Sequence, residues 1–274
     1  MQKFTEADTE SFYDAEDALY RSFWDRSGGL HWGIFDASTG VDFLEACENT
    51  NKVMVQKAGI GRDSNVLDLG CGNGTSAAWL NSITGCRIVG VDLSGVRIAN
   101  AIESLQSLSN GARERVSFEK ASATDLPFEQ GEFTHVWSQA AIYHFHEKEK
   151  ALQEAWRVLQ PGGTLAFDDL IKPRPDISQD SRTYVYDRLL FDTDFNFQSY
   201  QSVLEETGFE VLEAEDLSSH LKTTYQCLTL ITRRKSFEDP DTYRVLSGAY
   251  ERMVQAVQKG DLGWAMYICR KKAD

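Results

Sequence analysis

The chain has 274 residues, 42% of them hydrophobic, which suits one large domain or one domain with a lid. Lys and Arg number 28 against 42 Asp and Glu, and the formal charge of −14 argues against nucleic acid and anionic membrane surfaces as partners. Five scattered cysteines without a C-x-x-C pair exclude an evident zinc site or disulfide framework, and no apolar run approaches a membrane span of roughly 20 residues, so a metal-free cytoplasmic protein is expected.

In chain order, residues 1–60 read as an amino-terminal helical cover in which aromatic side chains alternate with charges. From Asn65 the pattern changes to strands alternating with helices. Val66–Leu69 is a buried strand, followed by a helix through Ala77, Ala78 and Leu80. Arg87–Asp92, Val116–Glu119 and Phe133–Trp137 are further strands, and a helix is expected from about Glu147 to Leu159. Pro161-Gly162-Gly163 stops that helix, and Thr164–Phe167 is a fifth strand. This alternation predicts βαβ units: an α/β, doubly wound Rossmann-like parallel sheet with helices on both faces, centred on residues 61–170. The remainder, 171–274, adds a helix at Gln198–Thr207 and a strand at Trp264–Ile268. Two long insertions, about 171–197 and 218–260, are expected as helical lids or substrate walls, packing helices being the plainer alternative.

The chemistry centres on Asp68-Leu69-Gly70-Cys71-Gly72-Asn73-Gly74, where the first strand meets the first helix. Alternating glycines allow a tight turn and close backbone approach to a ligand, and the following helix aims its N-terminus at the same place. Asp92 ends the next strand, 24 positions after Asp68, where a carboxylate suits the two hydroxyls of a ribose. The third glycine comes one residue too early for the dinucleotide fingerprint, and Asp68 would repel a pyrophosphate. A nucleoside with a zwitterionic, sulfonium-bearing tail fits better. Asp125, after the third strand, suits an adenine amino group or, alternatively, caps its own loop.

These segments, with Gly90–Ser94, Ala123–Phe128 and Glu154–Gly163, resemble class I S-adenosylmethionine-dependent methyltransferases of the methyltransferase type 11 group over about residues 60–170. The flanking Val136–His144, His31-Trp32-Gly33 and Gly263–Tyr267 resemble sarcosine/dimethylglycine N-methyltransferases, while tocopherol and sterol C-methyltransferases share the layout. The resemblance implies S-adenosylmethionine as cofactor and a small-molecule acceptor. It places Asp68, Gly70, Gly72, Gly74, Asp92, Leu93, Ala123, Thr124, Asp125 and Ser138 about the cofactor, and Gln139 and His144 near the transferred methyl group.

His144 faces the acceptor or caps a helix. Tyr13, Tyr20, Trp24 and Trp32 form an aromatic acceptor wall suited to a substituted ammonium, or ordinary packing, with Tyr186 a further wall residue. Asp168-Asp169 face the pocket or cap a turn. Eight Asp and Arg between 171 and 197, from Arg174 to Asp194, favour a small charged acceptor. The expected activity is methyl transfer to the nitrogen of a small amine or amino acid. The alternatives are C-methylation of a phenol, quinone or isoprenoid, and a non-catalytic cofactor-binding module.

Overall fold

A computed structural model describes residues 4–191 and 193–273; Asp192, one of the eight Asp and Arg of the first insertion, lies outside the described residues. The elements are α1 (Glu6–Phe23), α2 (Phe43–Ala58), β1 (Asn65–Leu69), α3 (Thr75–Thr84), β2 (Arg87–Asp92), α4 (Gly95–Ser104), α5 (Asn110–Arg113) and β3 (Val116–Lys120). They continue with β4 (Phe133–Gln139), α6 (Lys148–Val158), β5 (Leu159–Ile171), α7 (Gln179–Ser181), α8 (Phe197–Thr207), β6 (Phe209–Asp216), α9 (Ser218–Lys235), α10 (Pro240–Gln258) and β7 (Gly263–Lys271).

The seven strands form one sheet in the order β3-β2-β1-β4-β5-β7-β6. Successive side chains of a strand point to opposite faces, and β1 feeds both layers of the core. Val66 joins the layer that holds Met54, Leu80, Ile98 and Tyr250, whereas Leu67 and Leu69 join the layer with Leu152, Val158 and Leu204. Helices therefore cover both faces, as the alternating pattern predicts.

Two features depart from the expected parallel sheet. β7 runs antiparallel to both of its neighbours, β5 and β6. The cause is topological: α9 and α10 run out and back, so the chain re-enters the sheet beside the end of β6, where Leu217 N–H donates to Trp264 O at 2.8 Å. The second is β6 itself, which the sequence reading did not anticipate. Its glutamates, Glu210, Glu213 and Glu215, obscure the apolar alternation, and a charged edge strand also resists pairing with other chains.

Pro161-Gly162-Gly163 lies inside β5, where Gly162 adopts a left-handed conformation at φ +78°. The two long insertions hold a short helix with a π-helical turn (Arg182–Tyr186) and the α9–α10 pair. Among the described residues no helix is long and apolar enough to cross a membrane. What positions the site is the parallel set β3-β2-β1-β4-β5, whose carboxyl ends share one edge of the sheet.

Candidate active site

At that edge the chain leaves β1 through the glycine turn. Gly70 N–H and Cys71 N–H both donate to Val91 O, at 2.8 and 3.0 Å, which binds the turn to β2. Gly70 sits at φ +74°, and a β-carbon there would lie 2.5 Å from that of Ala141, so only glycine fits. Gly72, at φ +54°, faces open space, with Arg97 Nη1 3.8 Å from where a β-carbon would stand. Asp92 is clamped beside it, accepting from Gly72 N–H at 2.9 Å and Ser94 N–H at 2.8 Å. Asp68 lies buried beneath, its Oδ2 without a hydrogen-bond partner among the described residues, and burial with the nearby Asp92 pushes its carboxyl up to about 7.

The second wall begins where β4 ends at Gln139. Its amide is fixed on both sides: Nε2 donates to Asn51 Oδ1 at 2.7 Å and Oε1 accepts from Trp137 Nε1 at 3.3 Å. Ala140 then turns the chain with φ +49°, a left-handed conformation that costs a non-glycine residue about 1–2 kcal/mol. Strain of this kind at the mouth of a cleft marks a place where geometry is held for use. A 3₁₀ turn, Ile142–His144, follows. Asp169 secures it, accepting from Tyr143 N–H at 2.7 Å and from the Tyr200 hydroxyl at 2.9 Å.

His144, at the end of that turn, is buried, and its Nε2 is hydrogen-bonded to the Tyr13 hydroxyl. Its Nδ1 has no hydrogen-bond partner among the described residues. Burial, reinforced by Lys148 and Arg97, holds the imidazole well below its ordinary pKa, so it is neutral at physiological pH. Burial also pushes the Tyr13 phenol up to about 12. The Arg97 guanidinium lies 3.9 Å from the centre of the Tyr13 ring.

Tyr13 comes from α1, and a row of carboxylates on that helix explains why it docks here. Glu6 accepts from Ser122 at 2.6 Å, Glu10 pairs with Lys120, and Asp14 accepts from Ser94. Asp17, buried, accepts from Asn73 at 2.8 Å and Asn100 at 3.1 Å. Spacings of three and four residues align this row on one face of the helix. The row is thereby tied to the glycine turn and to the loops after β2 and β3.

The result is a cleft of about 890 Å³ between α1 and the sheet edge. Asp68, Gly70, Gly72, Asp92, Leu93, Ala123, Gln139, His144 and Tyr13 line it together. Tyr20, Trp24 and Trp32 instead line a smaller adjoining cavity, which shares Tyr13 and Leu30 with the cleft. Trp32 donates from Nε1 to the Tyr225 hydroxyl at 3.1 Å.

The other expected site residues lie outside both linings. Gly74 packs against Phe118, and Ser138 is fully buried with its hydroxyl on Leu69 O at 2.8 Å. Thr124 turns to Ser122 and Glu6, Asp125 is exposed, and Tyr186 is stacked on Phe191 with its hydroxyl on Asp261 O at 2.6 Å. Neither Asp168 nor Asp169 lines the cleft; Asp168 accepts from Trp264 Nε1 at 2.8 Å.

Sequence reasoning missed Arg97, Tyr143, Tyr225 and Tyr250 as site residues and took Arg188 only as one of the insertion charges; all five line the cleft or the cavity. Of these only Arg97 carries a usable signal, as the third residue of the helix that follows Asp92. Of the insertion charges from Arg174 to Asp194, Arg188 is the one described residue that reaches the aromatic cavity.

Comparisons with known proteins agree with this layout. Residues 67–167 match the family model described as a methyltransferase domain. The chain is 28% identical to (+)-O-methylkolavelool synthase of Herpetosiphon aurantiacus, over 97% of this chain and 94% of the relative. It is 27% identical to sarcosine/dimethylglycine N-methyltransferase of Halorhodospira halochloris, over 95% and 94% of the two chains. In fold it is similar to the cyclopropane synthase of Mycobacterium tuberculosis, with a TM-score of 0.87, 16% identity, and 98% and 99% of the two chains covered.

Proposed function

The chain is an S-adenosylmethionine-dependent methyltransferase, and from that premise we propose that it methylates the nitrogen of a small amine or amino acid held in the aromatic cavity. The cleft suits the cofactor. Asp68 offers a buried, unpartnered carboxylate oxygen for a cationic tail, and Gly72 leaves room for backbone approach. Asp92 keeps lone pairs free for the ribose hydroxyls after accepting two backbone N–H groups. When bound, the cofactor supplies a methyl group on a positively charged sulfur, open to in-line displacement.

The observation that carries the acceptor assignment is the aromatic cavity joined to the cleft through Tyr13 and Leu30. An amine attacks in its neutral form and becomes an ammonium as the methyl arrives. Aromatic faces therefore favour the transition state over the ground state, which raises the rate rather than merely tightening binding. Arg188, the cation of the cavity wall, suits the carboxylate of an amino acid. His144 Nδ1 meets the acceptor's polar group. In the tautomer protonated at Nε2 it takes the proton that a primary or secondary amine sheds after methylation, whereas a tertiary amine sheds none. Alignment and exclusion of water do the rest.

One observation favours a second reading, methylation of a phenol, quinone or isoprenoid: no Asp or Glu is among the described residues lining the cavity. Transfer of label from methyl-labelled cofactor to a panel of amines, phenols and prenyl alcohols separates the two. With sarcosine or dimethylglycine as acceptor, labelled dimethylglycine or trimethylglycine is the expected product. Label confined to phenols or prenols would replace the amine reading with the second.

A further inference from the structure

Arg97 is a buried cation with unfilled hydrogen bonds. It is 7% exposed, and neither Nε nor Nη2 has a hydrogen-bond partner among the described residues. Asp17 Oδ1 stands 3.5 Å from Nε, enough for attraction without a good hydrogen bond, and the Tyr13 ring covers one face. Nη1 points across the glycine turn, 3.8 Å from where a β-carbon on Gly72 would stand. Among the residues lining the cleft, Arg97 is the one Lys or Arg. A desolvated guanidinium left in this state is costly, so the site is built for an anion that completes it.

A second observation points the same way. Gly74, the residue before α3, gives the helix no side-chain cap among the described residues, and its first residues, Thr75 and Ser76, line the cleft. The backbone N–H groups of the first helical turn and the positive end of the helix dipole favour negative charge there. The cofactor has one anionic group, the α-carboxylate of its methionine tail. Its sulfonium and ammonium would be repelled by Arg97 and suit Asp68 and the aromatic faces instead.

We infer that Arg97 anchors the α-carboxylate of the cofactor, with Asp68 facing the ammonium of the same tail. Because Tyr13 and Asp17 hold Arg97 in place, the carboxylate contact also fastens α1 over the cleft. The inference rests on the identity of the cofactor and is independent of the acceptor.

The test is calorimetric binding with no acceptor present. It compares S-adenosylhomocysteine, which has the tail, with methylthioadenosine, which lacks it, on the wild type and Arg97→Met. Loss of a charge-assisted pair should weaken S-adenosylhomocysteine roughly 10–100-fold in the variant while methylthioadenosine changes less than about threefold. Equal losses for both ligands, or none for either, would overturn the assignment. If Arg97→Met does not fold, the wild type alone decides. S-adenosylhomocysteine should bind roughly tenfold or more tightly than its methyl ester, and equal affinities would refute the anchor.

Discussion

His144 and Asp68 each carry one side-chain atom without a hydrogen-bond partner among the described residues. His144 keeps Nδ1 free while Tyr13 occupies Nε2. With sarcosine, a secondary amine, as acceptor, His144→Ala should lower kcat by roughly 10²–10⁴ and leave the dissociation constant of S-adenosylhomocysteine within a few-fold. Tyr13→Phe keeps the ring over Arg97 and removes only the hydroxyl, so a smaller loss of about tenfold is expected. Full turnover in both variants would remove the pair from the reaction. Asp68 gives a prediction with a sign. Its carboxyl, raised to about 7, is largely protonated at pH 5.5 and ionised at pH 8. A cationic ligand prefers the ionised form, so cofactor affinity should rise by up to tenfold per pH unit between pH 5.5 and 7. Asp68→Asn should abolish that slope; a slope that persists in the variant belongs to another group.

At the scale of elements, the site depends on α1 more than on any strand. The helix brings Tyr13 to His144, and its acidic row meets the glycine turn and the loops after β2 and β3. Three of these contacts are charge-assisted or buried hydrogen bonds contributing about 1 kcal/mol each. Replacing Glu6, Asp14 and Asp17 by Ala should therefore shift the docked helix toward release by roughly a hundredfold. Amide hydrogen exchange reads this directly: α1 should exchange faster while β1 and β4 remain protected. Unchanged protection of α1 would mean that its apolar face, through Tyr20 and Phe23, holds it without the acids. The sequence shows α1 as an amphipathic cover but cannot show where its acids land, because their partners lie 56 to 118 residues away.

Across the whole molecule, what was legible is local and what was hidden is assembled. Asp68, Gly70, Gly72 and Asp92 sit within one βαβ unit, so spacing alone brings them together, and all four line the cleft. Gln139 and His144 follow from the end of a single strand. The aromatic cavity has no such motif: Tyr13, Tyr143, Arg188, Tyr225 and Tyr250 meet only after α9 and α10 fold back toward α1. For the same reason the antiparallel β7 was not foreseen, since a helix pair that returns the chain to its starting end looks, residue by residue, like any insertion. The polarity of the first insertion was legible but misleading about the wall, as Arg188 is the one described charge of that run that reaches it. The measurement that bears most directly on this account is a crystal structure of the enzyme with S-adenosylhomocysteine and dimethylglycine. It should place the ribose at Asp92 and the amine among Tyr20, Trp32 and Tyr225, with the carboxylate toward Arg188. An amine bound outside that cavity, or a nucleoside away from Asp92, would contradict it.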